Sequence, residues 1–280
     1  MPDVAKQIGT CCRELAERSY FCEAHGEYKG KPLEYTFGTH KIFDPPCPTC
    51  EAEQKDKEAR TEADRIKAAE ERARARIVEE RARRLAGMNI GEKFWEESFD
   101  TFNPYTPELK RHLETCIAFA DNCRGGMLVM LGNNGNGKDH LAASILKKIG
   151  GYIYTVFEIE LLLRQGYSGK GESEADIYKR LWEAPLLVIN EIGRHKADSK
   201  WSLDFLSNVI DKRYQNLKPT VLVSNCHLLE DCPETEKGCD KCLQRYLGND
   251  ILSRIIEGGE VMHFTGEDYR YRKREMRMTE

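Results

Sequence analysis

The sequence predicts an α/β core, a parallel sheet covered by helices, preceded by a small cysteine-rich module and a long charged helix. Three observations carry this. After Gly87, short β-rich apolar runs alternate with helical stretches, the pattern of strands buried on both faces. Residues 51–86 are alanine and charge, with no Pro or Gly. Residues 1–50 hold five of the eleven cysteines and few apolar runs, a poor recipe for an apolar core.

The first module is therefore 1–50, the helical linker 51–86 and the core 87–280. Strong helix formers and opposite charges at helical spacing favour a single linker helix, as where Glu58 and Glu62 approach Arg65 and Lys67. Its large aliphatics, Ile66, Ile77, Val78 and Leu85, build no heptad seam. It reads as a solvated spacer of roughly 50 Å, with a partner-binding or weakly self-associating helix as the other reading. In the core, Met127–Leu131, Tyr152–Val156, Leu186–Ile189, Val221–Val223 and Val261–Phe264 are the expected strands. Pro107–Asp121, Leu141–Ile149, Ala175–Trp182 and Ser202–Asn216 are expected helices. Phe94, Trp95, Phe99 and Phe102 precede them, either packing on the sheet or framing a nucleotide.

Composition bounds the function. A chain of 280 residues with 40% apolar residues buries a sizeable core, which excludes wholesale disorder. No apolar run approaches a membrane span, and the first residues lack a secretory pattern, so a soluble cytoplasmic protein is expected. A net charge of -4 excludes a global pull toward nucleic acid. In a reducing compartment clustered cysteines read as metal ligands before disulfides.

The most specific signal is Gly132-Asn133-Asn134-Gly135-Asn136-Gly137-Lys138-Asp139, between an expected strand and a helix beginning near His140. Such a loop wraps phosphate in backbone N–H groups, and its lysine reaches the β and γ oxygens. Asp139 departs from the pattern, because Ser or Thr at this position places a hydroxyl on Mg²⁺. The strand Leu186–Ile189 ends in Asn190-Glu191, where an acidic pair ordinarily supports magnesium and activates water. Two readings stand. Both departures impair hydrolysis, or Asp139 returns the carboxylate that Asn190 removed, the Asn190 amide bonding Asp139 across the loop.

With GNNGNGKDHLAAS, LLVINEIG, TVLVSN, LGNDILSRI and the terminal FTGEDYR in this order, residues 94–275 resemble DnaC-type and DnaI-type helicase loaders, which are AAA+ P-loop ATPases. The chain is similar, less specifically, to IstB-type ATPases that assist transposases. The resemblance implies ATP and Mg²⁺ as ligands, a hexameric replicative helicase and single-stranded DNA as partners, and a nucleotide-dependent homo-oligomer. It also implies Lys138 and Glu191 in catalysis, Asn225 as the γ-phosphate sensor, Arg254 as an arginine finger offered to a neighbouring subunit, and Arg270 as a second sensor. Lys212, Arg213, Arg272, Lys273 and Arg274 are candidates for a basic track. An IstB-like transposition ATPase and a hydrolysis-impaired zinc adaptor are the rival readings.

Cys22-x-x-His25 and Cys47-x-x-Cys50 make two short ligand pairs with the chemistry of a structural Zn²⁺ site. Cys11, Cys12 and His40 are reserve ligands, Cys11 and Cys12 alternatively lying on a short amphipathic helix. In DnaI-type loaders such a module docks on the helicase. A second cluster, Cys226, His227, Cys232, Cys239 and Cys242, precedes the Arg254 box. Its four sulfurs, Cys226, Cys232, Cys239 and Cys242, form a candidate second zinc set, with free thiols in a surface loop as the alternative. Cys116 and Cys123 are expected to have no chemical role.

Overall fold

Five parallel strands alternate their side chains between two apolar layers, and that alternation organises the core. The structure, a computed structural model, describes residues 12–35, 41–122, 125–194, 200–232, 239–266 and 268–271. It divides into two units, Met1–Val78 and Glu79–Glu280.

The first unit holds the short strands β1 (Cys12–Glu14), β2 (Arg18–Cys22), β3 (Gly26–Gly30), β4 (Leu33–Tyr35) and β5 (Lys41–Phe43). β2 and β3 form an antiparallel hairpin, with Cys22 opposite Gly26 at its tip. β1, β4 and β5 make a separate antiparallel sheet. Cys12 is an exposed strand residue rather than part of a helix, and Cys11 and His40 lie outside the described residues. Burial is sparse: Phe21, Ile42 and Phe43 all stay exposed. Tyr28 donates to the Pro45 carbonyl at 2.7 Å and stacks on Tyr20.

Helix α1 (Pro48–Gly87) begins with Cys50 in its first turn and crosses the boundary between units. Its exposed face carries pairs such as Arg83–Glu79 at 2.9 Å, each stabilising by only a few tenths of a kcal/mol.

In the second unit, α2 (Pro107–Asn122), β6 (Met127–Gly132), α3 (Lys138–Ile149), β7 (Gly151–Thr155) and α4 (Val156–Tyr167) come first. They are followed by α5 (Glu174–Glu183), β8 (Leu186–Ile192), α6 (Lys200–Gln215), β9 (Thr220–Ser224), α7 (Gln244–Gly258) and β10 (Gly259–Phe264). The sheet order is β10-β6-β9-β8-β7, every pairing parallel. Val129, Leu131, Leu187, Ile189 and Leu222 enter one core layer. Leu128, Met130, Leu186, Val188, Val221 and Val223 enter the other. Phe94, Trp95, Phe99 and Phe102 pack against the second layer. The expected strands and helices are present, with one exchange at a boundary. Val156 opens a helix rather than closing a strand, because Thr155 and Glu158 form a capping box.

Arg213 departs from its expectation. It is fully buried and donates to the carbonyls of Leu181, Trp182, Ala184 and Pro219 and to the Thr220 hydroxyl. It ties α5, α6 and the start of β9 together and offers nothing to DNA. Lys212 lies over the Trp182 ring at 5.5 Å. Arg272, Lys273 and Arg274 are outside the described residues. Among the described residues no helix is long and apolar enough to cross a membrane.

Candidate nucleotide site and metal centres

At the carboxyl edge of the sheet, β6 ends in Gly132 and α3 starts at Lys138. Gly132 has φ 129°, and a Cβ there would strike the Phe264 carbonyl of the neighbouring strand. Gly135 has φ 82°, and a Cβ would occupy the place of the Asp268 carboxylate. The loop can take this path only with bare backbone. Its N–H groups and those of the first turn of α3 form the kind of terminus that receives anions. Lys138 is buried and donates to the carbonyls of Gly132 at 2.8 Å and Asn133 at 2.5 Å. Burial pushes its ammonium down to about 8, so an incoming phosphate would stabilise the charged form. Asn136 is buried, its amide donating to the Phe264 and Gly266 carbonyls. That holds the loop against the end of β10.

β8 supplies the partner residues through an irregularity in its register between Ile189 and Ile192. There Glu191 adopts φ 57°, a left-handed conformation that a side chain rarely takes and that concentrates at functional positions. The Asn190 amide donates to Asp139 Oδ1 at 3.0 Å, the cross-loop bond anticipated from sequence. Its oxygen accepts the Glu191 N–H at 2.7 Å. An aspartate could make only the second contact, since it has no donor. Asn225, just past central strand β9, donates to Asn134 Oδ1 at 2.8 Å. The middle of the sheet thus brings Lys138, Asp139, Asn190, Glu191 and Asn225 to one edge, where open α/β sheets bind ligands.

Three arginines of the second unit rest on carboxylates of their own chain. Arg194 pairs with Glu191. Arg254 pairs with Asp211 at 2.8 Å and lies over the Tyr214 ring. Arg270 grips Asp268 with Nε and Nη2, holding that carboxyl below the usual carboxylate range. Asp268, Asp211 and Arg194 were missed in the sequence, where no motif marks them. The His140 imidazole is engaged elsewhere, 2.7 Å from the Ser98 carbonyl and 3.3 Å from Thr101 Oγ1. Its ring also packs edge-on against Phe102, so toward the loop it offers its backbone N–H.

In the first unit, Cys22, His25, Cys47 and Cys50 bring one ligand atom each within 4.8 Å of one another. Cys22 Sγ lies 3.6 Å from Cys50 Sγ, and His25 Nδ1 lies 3.2–3.8 Å from the three sulfurs. The edges of a zinc tetrahedron with these ligands are about 3.5–3.8 Å. His25 turns its other nitrogen to Glu53 at 3.2 Å, the carboxylate partner that metal-bound histidines favour. The Cys22 thiol is pulled down to about 6 chiefly by the Ala24 amide. Cys50, crowded by Cys22, is pushed up to about 11. A cluster that cannot shed all its protons without a cation fits zinc.

The second cluster differs from its expected composition. The residues gathered within 4.8 Å are His227, Cys232, Cys239 and Cys242. Cys226 is buried with its Sγ toward the Ile192 carbonyl at 3.7 Å. Successive residues of extended backbone point opposite ways, so only one of this adjacent pair can face the cluster. Cys116 is a core residue, its thiol pushed up by burial, and Cys123 lies outside the described residues.

The IstB-like ATP binding protein family matches residues 49–277. The chain belongs to this family. Among relatives, the replicative helicase loader DnaC of Escherichia coli K12 is 27% identical over 150 residues, 51% of this chain and 56% of that protein. A protein of insertion sequence IS232 from Bacillus thuringiensis subsp. berliner, described as ATP-binding, is 30% identical over 150 residues. That match covers 51% of this chain and 55% of the IS232 protein. The chain thus spans about half the length of the curated relatives it matches. The crystal structure of the DnaC helicase loader superposes with a TM-score of 0.52 at 27% identity, covering 62% of this chain and all of that one. The crystal structure of DnaI has a TM-score of 0.50 at 17% identity, covering 64% and 93%; at that identity it speaks for the fold. The family and these neighbours bear out the expected AAA+ sheet and the resemblance to DnaC-type proteins.

Proposed function

We propose that this chain is an ATP-dependent helicase loader, an ATPase that engages a hexameric replicative helicase and single-stranded DNA. The observation that carries the nucleotide chemistry is the bond from Asn190 to Asp139, beside Lys138 on the same sheet edge. It supports the compensating reading over impaired hydrolysis. Asp139 supplies the hard carboxylate that Mg²⁺ prefers, and Asn190 orients it without adding a second charge. Bound there, the ion would neutralise charge on the β and γ phosphates.

The protein's own groups then act as follows. Lys138 exchanges its two carbonyl partners for phosphate oxygens. Glu191 leaves Arg194 and orients water toward the γ-phosphate, and Asn225 leaves Asn134 to report that phosphate. Arg254, released from Asp211, stabilises the departing charge in a neighbouring subunit, which makes the active form an oligomer. Arg270 does the same within its own subunit.

Loading is supported by the DnaC relative and by full coverage of the DnaC crystal structure. The zinc module is the proposed helicase grip. Arg272, Lys273 and Arg274 are the proposed contacts to single-stranded DNA. A second reading, an IstB-like transposition ATPase, is favoured by the family match and the IS232 relative. Pull-down of the full chain with hexameric replicative helicases and with transposases, with and without ATP, separates them. A loader retains a helicase in an ATP-dependent manner. Retention of a transposase instead, or failure with every helicase, overturns the proposal.

A further inference from the structure

The segment joining β9 to α7 carries ligand chemistry that nucleotide hydrolysis does not use. The chain leaves the sheet at Ser224 and returns to a regular helix at Gln244, with only the short 3-10 turn Leu229–Asp231 regular among the described residues between. Few apolar side chains fill it, chiefly Leu228 and Leu243. Yet His227 and Cys242 are held in parallel register: His227 donates its N–H to the Lys241 carbonyl at 3.0 Å, and Leu243 donates to the His227 carbonyl at 2.9 Å.

That register points four ligand atoms at one another. His227 Nδ1 lies 2.9 Å from the Leu228 carbonyl, so it carries the proton and leaves the Nε2 lone pair free. Nε2 lies 3.1 Å from Cys239 Sγ, near the roughly 3.5 Å nitrogen-to-sulfur edge of a zinc tetrahedron. The imidazole is thus set in the tautomer a metal needs, by the carbonyl contact that commonly supports metal-bound histidine. The backbone also serves the sulfurs. The Cys239 N–H donates to Cys232 Sγ at 3.4 Å and the Lys241 N–H to Cys239 Sγ at 3.3 Å, contacts that stabilise thiolate. Buried cysteines can act merely as small apolar side chains. Aimed amides and an oriented imidazole are not what that role requires.

We propose that His227, Cys232, Cys239 and Cys242 bind a second, structural zinc ion, which clips the end of the Asn225 strand to the start of the helix that carries Arg254. Three thiolates and one imidazole close the coordination shell, leaving no open position for catalysis. The ion supplies the ordering energy that this apolar-poor segment lacks. Cys226 stands outside the set and packs under Gly193 instead, where a Cβ would strike its sulfur.

The test is zinc content of the full chain, purified without chelator and measured by mass spectrometry of the metal. The wild-type chain should carry two zinc ions, His227→Ala and Cys239→Ser one each, and Cys226→Ser still two. A wild-type count of one that Cys22→Ser reduces to none overturns the site. A count of one in Cys226→Ser overturns the ligand set. Should the core variants fail to fold, Co²⁺ loading of Cys22→Ser reads the second site alone. Three thiolates should give strong charge-transfer absorption and tetrahedral visible bands, and their absence overturns the proposal.

Discussion

The two units of this chain reach order by opposite routes. The sheet of Glu79–Glu280 is held by two apolar layers in which every strand alternates, and the residues of its phosphate site collect at one edge. The module of Met1–Val78 leaves Phe21, Ile42 and Phe43 exposed and gathers Cys22, His25, Cys47 and Cys50. Apolar burial scales with the area a chain can hide, and a few three-residue to five-residue strands hide little. Ligand bonds do not scale that way, so a small segment can be ordered by one ion. The lesson is that clustered ligand cysteines, unlike the core residues Cys116 and Cys226, mark where apolar side chains are few.

Cys22→Ser should divide the molecule most sharply. Structural zinc contributes about 10 kcal/mol or more of folding free energy, so the amide resonances of residues 18–35 should collapse toward random-coil shifts. Emission from Trp95, Trp182 and Trp201, all in the second unit, should keep its thermal transition. A core transition that falls together with the module would break the comparison. Leu222→Ala, in the central strand, is the reciprocal change. It should cost about 3 kcal/mol in urea unfolding followed by tryptophan emission, while the zinc expected at the Cys22 cluster should stay bound. Loss of that zinc would mean the units share a core.

The smallest change separates chemistry from stability inside the second unit. Asn190→Asp sets two carboxylates against each other where the amide now donates to Asp139. Turnover should fall about tenfold, or 1.4 kcal/mol, and Asp139→Thr should fall comparably. The double variant should recover, and stability should move by less than about 0.5 kcal/mol. Single variants with unchanged or higher turnover would end the compensating reading.

Much of this was legible in the residues, and the gaps have physical causes. Continuous apolar runs marked the five core strands because parallel strands are buried on both faces. The phosphate loop was legible because its glycines and lysine are required by backbone geometry. The hairpins of the module were not, since strands such as Arg18–Cys22 and Gly26–Gly30 carry little apolar alternation. The start of α4 was overlooked although Thr155 and Glu158 spell a capping box. Arg213 read as a surface charge beside Lys212, because only tertiary contact reveals carbonyls converging on a guanidinium. The choice between Cys226 and His227 turned on a single step of backbone register, which proximity in sequence does not encode.

In the proposed oligomer, the resting place of Arg254 on Asp211 changes the arithmetic of assembly. A guanidinium that joins a nucleotide in the next subunit gives up one anion to gain another, so the process is an exchange of partners rather than the creation of a bond. Exchanges of this kind have small net free energies, and small differences are tipped by concentration. If subunits assemble as proposed, their crowding would then decide whether Asp211 is left alone, and solitary chains would stay internally neutralised.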